Sequence, residues 1–201
     1  IFIPDQMALL SAYIDGTVRR WDLTSVEQIW GRFITQDRGL VRIRVFPENG
    51  RVFTSFGPIN LDSIINTRPE LVELDPSSGE VLRTFSGHGL AISDVILLND
   101  ATLLTSSFDG TIIRWDLESG EQLQQTALNS GFLMSLALRS DQQILAVASF
   151  GELVHILDMP SGETIHTLAG HERPVIDLAF HPNDLWLASG DDRGEIRLWD
   201  V

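Results

Sequence analysis

The chain has 201 residues, 43% of them hydrophobic, with 16 glycines and 8 prolines; this suits one domain with a substantial core and argues against disorder. It has no cysteine and no lysine, and its 14 basic residues, all arginine, face 28 acidic ones for a formal net charge of -14. Disulfides, thiolate metal sites, cysteine or lysine nucleophiles and a P-loop are thereby excluded, and nucleic acid or an anionic membrane is a poor partner because phosphate binding needs positive charge.

In chain order, Ile1-Phe2-Ile3-Pro4-Asp5 shows neither a basic region nor a small-residue cleavage site, so no signal peptide is expected. A reducing cytoplasm is the expected compartment. Residues 7–11 and 17–22 read as two strands, so the first unit is expected to lack its innermost strand. Strands follow at 52–56 and 71–74, with an insertion at 57–70 between them. A turn at 75–80 leads into a strand at 81–85 and the pair Gly87-His88. The tight turn Asp109-Gly110-Thr111 precedes a strand ending at Trp115-Asp116. A turn at 117–121, a strand ending at Asp158 and a turn at 159–163 lead to a second Gly-His pair, Gly170-His171. Strands at 175–180 and 185–189 and a closing strand at 196–200 complete the pattern. No apolar run, Val95-Ile96-Leu97-Leu98 included, approaches the roughly 18–20 residues that span a bilayer. Short β-branched and aromatic runs with frequent turn signals imply an all-β architecture without helices.

Five of these units end alike, at Asp22, Asp75, Asp116, Asp158 and Asp200, and the intervals are 53, 41, 42 and 42 residues. A period near 42 matches four strands per unit in a WD repeat. The period, the Gly-His pairs, Asp-Gly-Thr and the Trp-Asp ends together resemble the WD-repeat (transducin β-subunit-like) family along essentially the whole chain. The resemblance implies a β-propeller of four-stranded antiparallel blades. About four and a half repeats are present, approximately 1–22 (partial), 23–75 with the rim insertion 57–70, 76–116, 117–158 and 159–201.

In such repeats a His, a Ser or Thr, an Asp and a Trp form a hydrogen-bonded tetrad, since buried polar groups must be paired. The resemblance carries this role to His88, Thr105, Asp109 and Trp115 in the third unit, and to Ser11, Asp15 and Trp21 in the first. The fifth unit supplies His171, Ser189 and Trp199 but has Arg193 where Asp is expected, leaving Asp191 or Asp192 to substitute. The fourth, with Asn129, Val147, Gly151 and Leu157, is expected to form no tetrad. A hydrolase triad of Ser, His and Asp is the competing reading, but recurrence in several units suits a structural device, and no Gly-x-Ser-x-Gly elbow is present. The remaining histidines show no metal-ligand spacing. No catalytic residue, metal or cofactor is expected.

The chain is expected to be part of a larger propeller, because propellers close with roughly 4–8 blades. Four strands about 4.8 Å apart, each about five residues of roughly 3.3 Å, would leave about 300 Å² on each terminal face, more apolar surface than a soluble monomer usually exposes. Further blades of the same chain, or a second copy, would cover it.

The family's docking rim carries the residues three and five after the His and the one before the tight-turn Asp. Carried over position by position, these are Ala91, Ser93 and Phe108, then Phe132, Met134 and Phe150, then Pro174, Ile176 and Asp192. An alignment of 41–43 on 175–177 adds Arg42. Phe108, Phe132, Met134, Phe150, Ile176, Asp192 and Arg42 are therefore the candidate partner-binding residues; the alternative is that the apolar ones tuck between blades. Arg32, Arg38, Arg42, Arg44 and Arg51 also cluster in the second unit, either to hold a carboxylate-bearing peptide or to neutralise acidic neighbours. The expected function is a non-catalytic scaffold that binds a protein or peptide on its rim. The alternatives are a sensor or regulatory module of a larger ATPase or kinase, and a small-ligand or enzyme propeller using a central channel.

Overall fold

Runs of Val, Ile, Leu, Phe and Thr broken by Gly, Asp, Ser and Pro favour hairpins over helices. The computed structural model describes residues 1–3, 7–13, 15–34, 38–47, 49–58 and 69–201; they form nineteen strands, and no described residue is helical. The first sheet is β1 (Phe2–Ile3), β2 (Ala8–Ala12), β3 (Thr17–Asp22) and β4 (Gln28–Phe33); the second is β5 (Arg38–Phe46), β6 (Arg51–Pro58), β7 (Glu70–Leu74) and β8 (Val81–Ser86). The third is β9 (Ile92–Asn99), β10 (Thr102–Ser107), β11 (Thr111–Asp116) and β12 (Gln122–Ala127). The fourth is β13 (Leu133–Leu138), β14 (Ile144–Ser149), β15 (Leu153–Asp158) and β16 (Thr164–Ala169). The fifth has three strands, β17 (Val175–Phe180), β18 (Trp186–Asp191) and β19 (Ile196–Asp200). Strands neighbour one another in chain order in every sheet. Where a sheet has four, the outer strand follows the closing aspartate and so comes from the next sequence repeat.

The first sheet differs from expectation. Its innermost strand is present, though only two residues long: Phe2 faces Leu9 and Ile3 faces Ala8. The insertion in the second sheet joins Pro58 to Glu70, and its residues 59–68 lie outside the described ones.

The chain divides into two compact units, Ile1–Ile92 with Trp115–Gln122 and Ser93–Arg114 with Leu123–Val201. In the first, Ile3, Ala8, Leu10 and Val18 pack on Val45, Val52, Phe56, Val72 and Leu74. Aromatic rings continue that interior: Phe46, Phe53, Phe85 and Trp115 follow one another at centroid separations of 5.7, 6.2 and 5.8 Å. Beside them the buried Glu73 carboxylate accepts from Arg51 at 2.6 and 2.9 Å and from Arg83 at 2.9 Å. A buried charge needs such partners, so Arg51 serves to neutralise an acid rather than to wait for a ligand.

In the second unit β14 and β15 are buried on both faces, which is why they read as continuous apolar runs. Leu145, Val147 and Leu157 join Leu98, Leu104, Ile112 and Leu133 on one side. Ala146, Ala148, Val154 and Ile156 meet Val175, Leu178 and Leu187 on the other. A polar thread crosses the first strands of three sheets. Ser135 Oγ lies 3.3 Å from Asp94 Oδ2 and 3.1 Å from Asp177 Oδ1, and Leu136 N–H donates to Asp94 Oδ2 at 3.0 Å.

The closing aspartates act in the turns that follow them. Asp22 Oδ1 accepts from the N–H groups of Thr24 and Ser25 at 2.7 and 2.8 Å. Asp75 does the same for Ser77 and Ser78, Asp116 for Glu118 and Ser119, and Asp158 for Ser161. These bonds hold all four carboxyls below the ordinary aspartate value, chiefly through the Ser25, Ser78, Ser119 and Ser161 groups. Gly, Pro and Ser supply the turn angles, but the Asp ties the turn off.

Candidate functional site

At one end of the second unit lie the β10–β11 turn, the β12–β13 loop and the β14–β15 turn. The first turn is built by Asp109, whose Oδ1 accepts from the Thr111 N–H at 2.9 Å and the Thr111 hydroxyl at 2.6 Å. Gly110 follows at φ 81°, where a side chain would be strained, and a Cβ there would stand 3.2 Å from the Gly131 carbonyl. A Cβ at Gly151 would likewise meet the Ser130 carbonyl at 3.2 Å. The loop therefore lies closely between the two turns, stitched by Leu128 N–H to Gly110 O at 3.1 Å and Phe150 N–H to Phe132 O at 2.8 Å.

This framework brings together three of the candidate rim residues. The rings of Phe108 and Phe132 are 5.4 Å apart and those of Phe132 and Phe150 6.0 Å, both tilted. Phe132 is 46% and Phe150 52% exposed, so these two rings face solvent, while Phe108 is half-buried beside them. Ile176 is exposed as well, whereas Met134 is half-buried against the apolar cluster of Ala146, Val175 and Leu187. Met134 and Ile176 each sit at a register irregularity of their strand, between Leu133 and Ser135 and between Val175 and Asp177. In β18–β19 the N–H of Asp192 bonds the Pro174 carbonyl at 3.1 Å, so these two repeat the Phe150–Phe132 geometry.

Arg42 is a correction. The irregularity of β5 falls between Leu40 and Arg42, and Arg42 itself pairs with Ser55. It therefore matches Asp177, not Ile176. The extra residue of a bulge shifts every later position by one, which an alignment by residue type does not show. Arg42 belongs to the first compact unit and the aromatic ladder to the second. Of the other second-unit arginines, Arg32 Nε donates to the Ser78 carbonyl at 3.1 Å, and the Arg38 side chain lies outside the described residues.

The recurring polar residues also find partners. In the first sheet Trp21 Nε1 donates to Ser11 Oγ at 2.7 Å, and Asp15 holds its own turn through Thr17 at 3.0 and 2.6 Å. In the third, His88 and Trp115 are buried with rings 6.3 Å apart, Thr105 is buried, and Asp109 binds Thr111. In the fourth, Val147 and Leu157 meet in the apolar core.

The fifth sheet joins Ser189, His171 and Trp199 directly. Ser189 Oγ accepts from Trp199 Nε1 at 2.8 Å and shares a 2.7 Å bond with His171 Nε2, while His171 Nδ1 stands 3.4 Å from Asp191 Oδ2. The substitution falls to Asp191, and the turn is not shifted. Gly194 N–H bonds the Asp191 carbonyl as Gly110 N–H bonds that of Ser107, so Asp191 stands at the strand end and Arg193 at the usual Asp position. Asp192 instead pairs with Arg173 at the surface, at 3.0 and 2.9 Å. Burial works to raise the Asp191 pKa, but the N–H groups of Glu195 and Arg193 and the His171 contact outweigh it, and the carboxyl sits below the ordinary value.

Ser189, His171 and Asp191 thus line up like a hydrolytic triad, yet all three are buried and the indole N–H occupies the serine oxygen. A nucleophile needs access and a free lone pair. His171, Asp191 and Glu195 also bring donor atoms within 4.8 Å of one another. Of these groups, His171 Nε2 is bonded to Ser189, Asp191 Oδ1 to two backbone N–H groups and Glu195 to Arg197 at 2.6 Å, while His171 Nδ1 and Asp191 Oδ2 face each other at 3.4 Å.

Small antiparallel sheets of about 42-residue period, the first and fifth tied by a Trp–Ser and a Trp–Ser–His array, define the blades of a β-propeller. The family model of the WD domain, G-beta repeat, matches residues 79–116 and 162–200. The apoptotic protease-activating factor 1 of Rattus norvegicus is 34% identical over 114 residues, which cover 57% of this chain and 9% of that protein. The ribosome biogenesis protein ytm1 of Emericella nidulans is 27% identical over 96% of this chain and 47% of its own length. The guanine nucleotide-binding protein subunit beta of Saccharomyces cerevisiae is 24% identical over 98% and 47%. The chain carries WD repeats at residues 79–116 and 162–200. It spans about half the length, or less, of these relatives. Proteins of this family typically serve as scaffolds for protein interaction and are generally non-catalytic. No helix among the described residues is long and apolar enough to cross a membrane.

Proposed function

We propose that this chain is a non-catalytic interaction module that binds a protein or peptide partner on the rim carrying Phe108, Phe132 and Phe150. The observation that carries this reading is the contiguous ladder those rings form, in which Phe132 and Phe150 face solvent. Aromatic side chains are enriched at interface cores, where they bury much area at small entropic cost. Ile176 is a further exposed apolar side chain of the same compact unit.

Affinity capture with the chain and with its Phe132→Ser/Phe150→Ser variant tests the reading, with quantitative mass spectrometry as the readout. A partner retained by the first should fall about tenfold or more with the second, as for removal of interface anchors, while the thermal melt stays close to that of the parent. Capture that is unchanged overturns the rim assignment. A second reading, a regulatory module within a larger multidomain protein, is favoured by the rat relative, of which the matching segment is only 9%. Further blades, from the same polypeptide or a second copy, would complete the propeller in either case.

A further inference from the structure

The loops around the aromatic ladder are rich in acid. Glu152 follows Phe150 by two residues in the same tight turn and is exposed at φ 69°. Asp109 lies beside Phe108, and Glu172, Asp192 and Glu195 occupy the corresponding loops of the fifth sheet. Against them stand Arg173 and Arg193, and the chain as a whole carries a net charge of -14. Arg173 shows how a guanidinium is received here. Asp192 grips it from two oxygens at 3.0 and 2.9 Å, and together with Asp191 and Glu152 it holds the cation above the ordinary arginine range.

Resting on the rim reading above, we propose that the partner segment is a basic, apolar peptide: a large aliphatic or aromatic side chain seated on Phe132 and Phe150, with a neighbouring arginine or lysine received by Glu152. Two physical effects converge on that chemistry. The ring faces carry negative potential and attract a cation, and exposed carboxylates add charge-assisted, bidentate pairing with a guanidinium. An acidic segment would meet repulsion from both, so the rim selects by charge as well as by contact.

The test uses the intact chain and three fluorescent peptides of equal length, alternating Leu with Arg, with Ser or with Glu, measured by anisotropy. The Leu/Arg peptide should bind about tenfold tighter than Leu/Ser, a difference of about 1.4 kcal/mol, and Leu/Glu should bind weakest. Glu152→Gln should erase the Leu/Arg advantage and leave Leu/Ser unchanged. This substitution keeps shape and touches only an exposed group, so the result does not depend on a risky core change. Phe132→Ser/Phe150→Ser should weaken Leu/Arg and Leu/Ser alike. If Leu/Ser or Leu/Glu equals Leu/Arg but still responds to the phenylalanine variant, the charge preference is overturned and the rim stands. An Arg advantage that survives Glu152→Gln overturns it too, as general attraction to an acidic protein. If no peptide responds to the phenylalanine variant, the rim assignment falls as well.

Discussion

At the scale of single residues, the fifth-sheet array shows how one hydroxyl organises a blade. Ser189 Oγ receives the Trp199 N–H and bonds His171, and thereby fixes two rings, one on β19 and one in the β16–β17 loop. His155 is the contrasting case. It lies on β15, in the sheet that lacks such an array, buried with Nε2 unbonded. Burial holds its pKa below the ordinary 6.5, so the folded state keeps the ring neutral. An unfolded chain takes up a proton near 6.5 that the fold resists, so stability falls as pH drops through that value toward the folded pKa. Urea midpoints measured at about pH 7.5 and about pH 5.5 should fall less for His155→Leu than for the parent. Equal falls would mean that this imidazole is already charged or solvated.

At the scale of elements, the rim ladder depends on glycines as much as on phenylalanines. Gly110→Ala places a Cβ at φ 81° and 3.2 Å from the Gly131 carbonyl, so it should cost about 1–2 kcal/mol in chemical denaturation and spread the Phe108–Phe132 contact. No loss of stability would show that the loop yields freely. Strand existence was legible in the sequence because alternating and continuous apolar runs have few other solutions. Positions along a strand were not equally legible. Arg42 was misplaced because a bulge leaves no mark in residue type. Phe2–Ile3 escaped notice because two residues carry no periodicity. The anion-like caps of Asp22, Asp75, Asp116 and Asp158 were visible only as the second letter of a repeat ending. That Phe108 and Phe150 fall in tight turns, by contrast, follows from counting along the repeat. The turn acid of the fifth sheet had to await coordinates, since Asp191 and Asp192 are indistinguishable by type.

At the scale of the whole molecule, the three-stranded fifth sheet leaves β19 as an edge. Ile196 is 73% and Leu198 69% exposed along it, and Trp186 on β18 is also exposed. An edge strand with alternating large apolar side chains is a template for another chain. Light scattering on the isolated chain should therefore show dimers or larger species. Ile196→Arg/Leu198→Arg should shift it toward the monomer, because charges on an edge oppose pairing. A monodisperse monomer in the parent would mean that this edge is no template under those conditions.

The displaced carboxylate of the fifth sheet has one more consequence. Because Asp191 serves the buried histidine from the strand end, the outer position of that turn is left to Arg193, an exposed cation with its backbone N–H on Asp191. The interior wiring and the outward display of the turn are thereby uncoupled. A blade wired in this way can change the sign of what it shows at that position without disturbing what it hides.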